Sequence, residues 1–374
     1  MENKKINILI FSWRGPGHPH AGGAEIVTHE HAKAWVKQGY KVTLFTSGYE
    51  DCQKEETIDG VKIIRRGSQI LSVQFWAFVW YLFIQKDNFD LVVDQFHGLP
   101  FFTPLFVKRK KLAFIHEVTK DVWRYNPLKE PFHSIVSKIG QIGEPLLFRY
   151  LYRNIPFLTV SESTKKDLVD YGISSKLITI IHNGFYPVKR ALKRKKKVIT
   201  FIGAIAEDKG IEDAIKVFNL LKQTSFDFWV IGKHDSVYFE KVQQLVDKYK
   251  LESRVTFWGF VSESKKFDLL NESYLVVNPS VREGWGLTVI EAAAVYTPTV
   301  AYKVSGLQDA IKHPETGLLV ERKTPQQLSK AIKMLIKDKK IYKSLQLAGF
   351  KRSKKFNWKD ATKQSLRLIQ EIIN

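Results

Sequence analysis

Short apolar runs alternate with amphipathic segments along the whole chain, and this pattern predicts parallel α/β sheets. In the first half, strands are predicted at Ile6–Trp13, Lys41–Thr46, Val61–Arg65, Leu91–Asp94, Leu112–His116, Phe157–Val160 and Ile178–His182. Helical periodicity predicts helices between them at Ala24–Lys37, Ile70–Ile84, Ser134–Arg153 and Glu162–Tyr171.

A break in composition follows at Tyr186-Pro187, where a basic run extends to Lys197 and predicts an interdomain linker. A second series has predicted strands at Val198–Ile202, Phe226–Ile231, Val255–Trp258, Leu275–Asn278, Thr299–Ala301 and Gly317–Val320. Its predicted helices are Ile211–Gln223, Ser236–Lys250, Leu287–Val295 and Pro325–Ile336.

The two series predict two doubly wound α/β domains, which suits a chain of 374 residues. We assign residues 1–187 to the first domain, 188–197 to the linker and 198–355 to the second domain. Residues 356–374 contain an amphipathic helix, Trp358–Ile373, which is expected to leave its own domain and cross back to the first. The ends of both sheets are expected to face a cleft, where such folds carry their chemistry.

Composition narrows the class of protein. Apolar residues make up 44% of the chain and aromatic residues 13%, which excludes a disordered or fibrous protein. Cys52 is the only cysteine, so no intrachain disulfide can form and a cytoplasmic location is expected. The run Ile6–Trp13 is too short for a secretion signal, and no window reaches the roughly 20 apolar residues of a spanning helix.

The net charge of +21 is spread over both halves of the chain. Residues 1–190 carry 26 Lys and Arg against 18 Asp and Glu, a balance of +8, and the remainder carries 33 against 20, or +13. Nucleic acid, an anionic membrane surface and a merely lysine-rich composition each explain such an excess. Because zinc-finger spacing, an aromatic RNA-binding signature and a basic zipper are all missing, we predict no nucleic-acid partner.

The turn after the first strand, Arg14–Glu25, is rich in glycine but does not follow the G-x-G-x-x-G spacing, so a nicotinamide cofactor is disfavoured. Its length favours close approach to a ligand over a plain surface loop. Because the histidines here lack metal-ligand spacing, we predict no metal site and interpret them as loop and helix-surface residues. They are His18, His20, His29 and His31.

Polar residues close two further predicted strands. His116 ends its strand, and because strand ends face the cleft we favour a functional role over that of a buried core histidine. In the second domain the turn Gly203–Gly210 contains Lys209, which is either a diphosphate contact or a solvated surface lysine.

The segment Arg282–Glu291 places two carboxylates, Glu283 and Glu291, on either side of a glycine turn that opens a helix near Leu287. Backbone N–H groups at a helix N-terminus bind phosphate, so the segment suits a nucleotide sugar whose ribose hydroxyls Glu291 accepts. An ordinary glycine-rich turn with surface glutamates explains the segment alone equally well.

Short motifs along nearly the whole chain together resemble a retaining glycosyltransferase of family 4. They are Gly22–Glu25, Phe114–Val118, Val160–Thr164, His182–Gly184, Lys209–Gly210, Glu283-x₇-Glu291, Ala301–Tyr302 and Thr316–Val320. The resemblance implies the GT-B fold of two facing Rossmann-like domains. It also implies transfer of a sugar from a UDP- or GDP-linked donor, without a metal or other cofactor.

The resemblance implies roles for individual side chains. Glu291 would bind the donor ribose, and Glu283 would hold the transferred sugar near the reaction centre. Lys209 would neutralise the leaving phosphate, and His116 would contact the sugar or the acceptor.

Backbone groups have implied roles as well. Those of Gly286, Leu287 and Thr288 would bind the diphosphate, and the turn Gly22-Gly23 would approach it from the first domain.

The chain departs from the family at Ala204, where relatives usually carry an arginine that clamps the diphosphate. Losing a bidentate phosphate contact weakens leaving-group stabilisation. We expect Lys233 or Arg282 to compensate.

The acceptor is implied to be a glycan or a polyprenyl- or lipid-linked molecule. Ile70–Ile84 is apolar almost all round and is followed by the basic cluster Lys108–Lys111, so two interpretations are open. The first is a buried helix with a solvated charge run. The second is peripheral docking on the anionic inner face of a membrane.

Other functions remain open beside the transferase. A non-catalytic polyanion-binding protein on a degenerate scaffold would explain Ala204. A phosphorylase would need a pyridoxal lysine that the sequence does not identify, and an epimerase of the same fold lacks the paired glutamates.

Overall fold

The computed structural model describes residues 6–69, 71–85, 88–96, 98–126, 128–186, 193–233 and 236–374. The chain divides into two compact units. The first comprises Met1–Gly184 and Trp358–Asn374, and the second comprises Phe185–Asn357.

The first unit contains an eight-stranded sheet. Its strands are β1 (Asn7–Ser12), β2 (Lys41–Thr46), β3 (Glu55–Ile58), β4 (Val61–Arg65), β5 (Leu91–Phe96), β6 (Lys110–Ile115), β7 (Phe157–Thr159) and β8 (Ile178–Ile180). The order is β3-β4-β2-β1-β5-β6-β7-β8, and β3 alone pairs antiparallel in this sheet of the described chain. The helices are α1 (Gly23–Lys37), α2 (Ser72–Trp80), α3 (Thr103–Phe106), α4 (Phe132–Leu151) and α5 (Glu162–Asp170).

The second unit contains a six-stranded parallel sheet in the order β11-β10-β9-β12-β13-β14. Its strands are β9 (Val198–Ile202), β10 (Asp227–Ile231), β11 (Val255–Gly259), β12 (Leu275–Asn278), β13 (Thr299–Tyr302) and β14 (Leu318–Val320). Its helices are α6 (Ile211–Asn219), α7 (Ser236–Lys248), α8 (Glu263–Glu272), α9 (Leu287–Ala294), α10 (Leu307–Ala310), α11 (Pro325–Lys337) and α12 (Lys339–Ser353). A last helix, α13 (Trp358–Ile373), belongs to the first unit.

The predicted class of two doubly wound α/β sheets is confirmed, because the central strands are buried on both faces. Five elements were not predicted, namely β3, α3, α8, α10 and α12. α3 and α10 have only four residues each, too few for helical periodicity. β3 is a half-exposed edge strand without a continuous apolar run, and α8 and α12 are rich in charge.

The apolar helix predicted at Ile70–Ile84 is α2 followed by a π-helical turn at Tyr81–Gln85, and Ile70 lies outside the described residues. The interpretation as a buried helix is confirmed for one face of α2 and wrong for the other. Val73, Ala77 and Trp80 pack into the core, but the side chains of Phe75 and Phe83 are 59% and 79% exposed.

The predicted linker 188–197 lies outside the described residues as far as residue 192. Its described part belongs to the second unit and packs within it. The Lys195 ammonium donates to the carbonyls of Asn271 and Val295 and to the Thr297 hydroxyl, at 2.7–2.9 Å. Burial lowers the pKa of Lys195 to about 7.

The C-terminal helix α13 packs against α1 through a small buried polar cluster. The Ser365 hydroxyl lies 2.9 Å from His31 Nδ1 and accepts a hydrogen bond from Trp35 Nε1 at 3.1 Å. The His31 ring also meets the rings of Phe114 and Trp358 edge-on. The interpretation of His31 as a helix-surface residue is therefore wrong, because α13 covers it. Across the described residues, no helix is long and apolar enough to span a bilayer.

Burial lowers the pKa of His31 from 6.5 to about 4, so the first unit should lose stability as the pH falls from 6.5 towards 4. The unfolded chain takes up a proton that the folded chain excludes, and the loss from this group reaches about 1.4 kcal/mol at pH 5.5. Chemical denaturation at pH 7.5 and 5.5 measures it. His31→Gln should show a smaller loss by that amount, and equal losses would contradict the assignment.

Candidate functional site

The second unit reverses its strand order between β9 and β12. The chain proceeds from β9 to β10 and β11 on one side, and from β12 to β13 and β14 on the other. Loops that leave the two central strands of such a sheet diverge, and doubly wound proteins bind their ligands there. The two loops are residues 203–210 and residues 279–286.

Close backbone contacts fix these two loops to each other. Gly210 has φ +72°, and a Cβ added to it would lie 2.2 Å from the Pro279 carbonyl oxygen. The Val281 N–H donates to the Asp208 carbonyl at 2.9 Å. A side chain at position 210 would therefore push the loops apart.

Glu283 and Lys209 form an ion pair across the two loops. Glu283 Oε1 accepts from Lys209 Nζ at 3.1 Å and from the Ser280 hydroxyl at 2.8 Å. Their side chains are 21% and 25% exposed, so both ends of the pair stay accessible to a ligand. The structure thus brings together the predicted sugar contact and the predicted phosphate contact.

The glycine turn after Glu283 sets up the start of α9. Gly286 caps the helix with φ +77°, a left-handed conformation that favours glycine. Its carbonyl accepts from the N–H groups of Val289 and Ile290 at 3.0 and 3.4 Å. The N–H groups of Leu287 and Thr288 come before the first hydrogen bonds within the helix. N–H groups at a helix N-terminus attract anions.

Glu291 lies in α9 with its carboxylate buried against α8. Its Oε1 accepts from Lys266 Nζ at 2.8 Å, and the same ammonium lies 2.8 Å from Glu263 Oε1. Burial raises the pKa of the Glu291 carboxyl, and Lys266 opposes that rise. Burial disfavours the Lys266 ammonium, but the two carboxylates outweigh it and raise its pKa.

Lys266 is not among the predicted site residues, because α8 was not predicted. Ser262 was the available signal, since its hydroxyl accepts from the Lys265 N–H and caps the helix. The contact of Lys266 with Glu291 has no local signal at all, since 25 residues separate the two.

The residues predicted to compensate for Ala204 lie in different surroundings. Lys233 is beside the Ala204 loop, because its carbonyl accepts from the Ile205 N–H at 2.8 Å. Its half-buried ammonium lies 4.5 Å from the centre of the Phe260 ring. Arg282 is buried, with 7% of its surface exposed. Lys233 is therefore the more accessible of the two.

In the first unit, the turn before α1 is held by polar contacts. The Gly22 N–H donates to Glu25 Oε2 at 2.7 Å, and Arg14 Nε donates to Glu25 Oε1 at 2.9 Å. A Cβ added to Gly23 would meet no atom within 4 Å. Packing within the unit therefore does not require glycine at position 23, which leaves room for a ligand to approach the backbone.

His116 directly follows β6 at the carboxyl edge of the first sheet. Its ring packs 4.6 Å from the Phe114 ring, and its carbonyl accepts from the Thr164 hydroxyl at 3.1 Å. The residue is 7% exposed, so the strand-end position is as predicted and the side chain is largely enclosed.

Sequence profiles of two protein families match the chain. Residues 21–187 match Glycosyltransferase Family 4, and residues 184–352 match Glycosyl transferases group 1. An uncharacterised glycosyltransferase of Methanocaldococcus jannaschii is 25% identical over 365 residues, 89% of this chain and 90% of that protein. The phosphatidylinositol N-acetylglucosaminyltransferase GPI3 subunit of Saccharomyces cerevisiae is 22% identical over 95% of this chain and 81% of its own.

Solved structures show the same fold. Sucrose-phosphate synthase from Thermosynechococcus elongatus superimposes with a TM-score of 0.81 at 20% identity, covering 98% of this chain and 99% of that one. Anabaena HepE in complex with UDP and glucose gives 0.75 at 15% identity, covering 98% and 100%. Both units thus take part in the GT-B fold.

Gly306→Ala should destabilise the second unit by displacing the Glu283 loop. Gly306 has φ +76°, and an added Cβ would lie 2.1 Å from the Glu283 carbonyl oxygen. Gly259→Ala is the matched control, because Gly259 has φ +64° and its added Cβ meets no atom within 4 Å. An alanine at either position bears strain from its positive φ, roughly 1–2 kcal/mol in the left-handed α region. With ψ −48°, Gly306 lies outside that region.

The difference in unfolding free energy between the two variants reports the clash together with any additional backbone strain at position 306. We expect Gly306→Ala to lose at least about 1 kcal/mol more than Gly259→Ala in chemical denaturation. Equal losses would show that the Glu283 loop has room for the methyl group.

Proposed function

Because the chain belongs to glycosyltransferase family 4, we propose that it transfers a sugar from a nucleotide-diphosphate sugar. The transfer retains the anomeric configuration of the sugar. The acceptor is a glycan or a lipid-linked molecule, and no metal or other cofactor takes part. The Lys209–Glu283 ion pair at the strand-order reversal carries the proposal, because a cation and a carboxylate there suit a diphosphate and a sugar hydroxyl.

The donor is held by charge and by backbone groups of the second unit. The N–H groups of Leu287 and Thr288, behind the Gly286 turn, bind the diphosphate at the positive end of α9. Glu291 accepts hydrogen bonds from the ribose hydroxyls, and Lys266 opposes the rise that burial causes in the pKa of the Glu291 carboxyl.

Sugar transfer requires stabilisation of the leaving diphosphate. The bond between the anomeric carbon and the phosphate oxygen breaks, and the acceptor oxygen attacks from the same face of the sugar. The departing phosphate takes the acceptor proton, so a separate general base is not needed. Lys209 neutralises the charge that develops on the phosphate, and Glu283 orients the transferred sugar.

Three positions complete the proposed machinery. In the first unit, Gly22 and Gly23 offer backbone to the donor diphosphate, and His116 contacts the sugar or the acceptor. Lys233 supplies a cation beside Ala204 in place of the usual arginine, with Arg282 as the buried alternative.

The comparisons support the choice of donor and acceptor classes. HepE was solved with UDP-glucose, which favours a UDP-linked donor over a GDP-linked one. The yeast relative is named for phosphatidylinositol, which favours a lipid-linked acceptor. We therefore propose a cytoplasmic enzyme that works at the inner face of an anionic membrane.

A thermal-shift screen of UDP-, GDP- and ADP-linked sugars identifies the nucleotide base of the donor.

Glu291→Gln should weaken UDP binding by roughly 10- to 100-fold, since a hydrogen bond to a charged group contributes about 1.5–3 kcal/mol. Isothermal titration with UDP measures the change. Glu263→Gln is the matched control, because Glu263 meets the same Lys266 ammonium from the exposed side of α8. Equal effects of the two substitutions would exclude Glu291 from the ribose contact.

The polyanion-binding alternative makes the opposite prediction. In that case binding would collapse with salt and survive both Glu283→Ala and Glu291→Ala. Absence of binding to any common nucleotide sugar or nucleoside diphosphate would refute the transferase.

Gly23→Ala should raise the Kd for UDP by about tenfold while leaving thermal stability unchanged or slightly higher. The added methyl meets no atom of the chain, so only a ligand that approaches the backbone would sense it. Gly143→Ala is the control, because an added Cβ there is also free of contacts. Unchanged UDP affinity in Gly23→Ala would remove this turn from the donor site.

A further inference from the structure

Helix α4 presents an apolar stripe to solvent. Large apolar side chains recur on it at intervals of three and four residues, which align along one helix face. Their exposed fractions run from 47% to 77%. They are Phe132, Ile135, Ile139, Ile142, Leu146 and Tyr150.

The opposite face of α4 is pinned in place, so the helix cannot turn the stripe inwards. The buried Glu144 carboxylate accepts from the N–H groups of Thr119 and Lys120, at 2.7 and 2.9 Å, and from Trp123 Nε1 at 3.2 Å. A Cβ added to Gly140 would lie 2.2 Å from the Trp123 ring. The exposure of the stripe is thus fixed by packing on the other side.

Helices α2 and α4 lie on the same face of the first sheet. Leu9 pairs with Val92, and both pack with α2. Phe96 pairs with Ile115, and both pack with α4. Val92 and Phe96 are four residues apart on β5, so their side chains share one face. The exposed aromatic residues of α2 therefore lie on the same side of the unit as the stripe.

Exposed charge within these two helices is either absent or positive, and the exposed pair Lys129 and Glu130 just before α4 adds no net charge. Residues 72–85 contain no charged residue. Within α4, all of which the structure describes, Lys138 and Arg149 are exposed and the single acidic residue, Glu144, is buried. Apolar surface of this extent marks an interaction site, and its basic rim complements an anionic partner.

We propose that α4 lies flat in the interface of an anionic membrane, with its stripe inserted and Lys138 and Arg149 at the headgroups. From Phe132 to Tyr150 the stripe is about 27 Å long, and interfacial helices insert their apolar faces by about 5–10 Å. The inference deepens the proposed membrane association and rests on it. It assigns α4 as the principal contact, beside the exposed rings of α2.

A second copy of the chain is the competing occupant. A symmetric contact between two stripes would bring the like-charged basic rims of both copies into one interface, because both partners use the same surface. An anionic lipid surface meets no such repulsion.

Flotation with vesicles of equal parts phosphatidylglycerol and phosphatidylcholine, in 0.15 M salt, tests the inference. Ile139→Asp with Ile142→Asp should reduce vesicle affinity at least about tenfold relative to the parent protein. The matched control is Val237→Asp with Leu347→Asp, which replaces two exposed apolar residues of the second unit and should bind as the parent does. Vesicles of phosphatidylcholine alone should bind the parent more weakly.

Three outcomes would overturn the inference. They are a parent that does not bind anionic vesicles, an α4 variant that binds as the parent does, and a parent dimer that the α4 substitutions dissociate without any vesicle binding. UDP affinity of the α4 variant, measured in the same preparation, should be unchanged. A parent protein that binds anionic vesicles but not UDP would refute the proposed transferase activity without affecting the inference about α4.

Discussion

The ion pair between Lys209 and Glu283 depends on a backbone approach that only glycine permits. Gly210 lies against the Pro279 carbonyl and Gly306 lies against the Glu283 carbonyl, so the start and the middle of the loop 279–286 each pack against a neighbouring turn. The reversal of strand order brings these turns together at one edge of the sheet. Main-chain packing therefore fixes the backbone that carries the Glu283 carboxylate.

This arrangement has an electrostatic consequence for the proposed reaction. Lys209 is paired with Glu283 in the structure, which lowers the cost of holding an ammonium in a partly enclosed loop. A departing diphosphate carries more negative charge than a carboxylate, so it would draw the ammonium more strongly as the bond breaks. The pair is thus suited to stabilise charge that develops during transfer, which is the kind of interaction that accelerates a reaction.

Sequence reasoning could predict the two sheets and most of the helices, because buried parallel strands form continuous apolar runs. It could also place Glu283, Gly286 and Leu287 around one helix start, since the signals there are local. It could not find the Lys266–Glu291 contact or the burial of His31. In each case the deciding partner lies far along the chain, 334 residues away in the case of Ser365, and only tertiary folding supplies it.

The two faces of the first sheet show why net charge alone could not locate the proposed membrane surface. On one face α13 covers α1 and encloses His31, and the Lys110 ammonium donates to the Ile373 carbonyl at the end of α13. Lys111, in the same predicted basic cluster, donates to the Val107 carbonyl, and burial lowers its pKa. Two of its four cations therefore serve the fold. On the other face, apolar side chains remain uncovered along α4. Charge attraction weakens with salt while apolar insertion does not, so the uncovered stripe would decide where the protein binds.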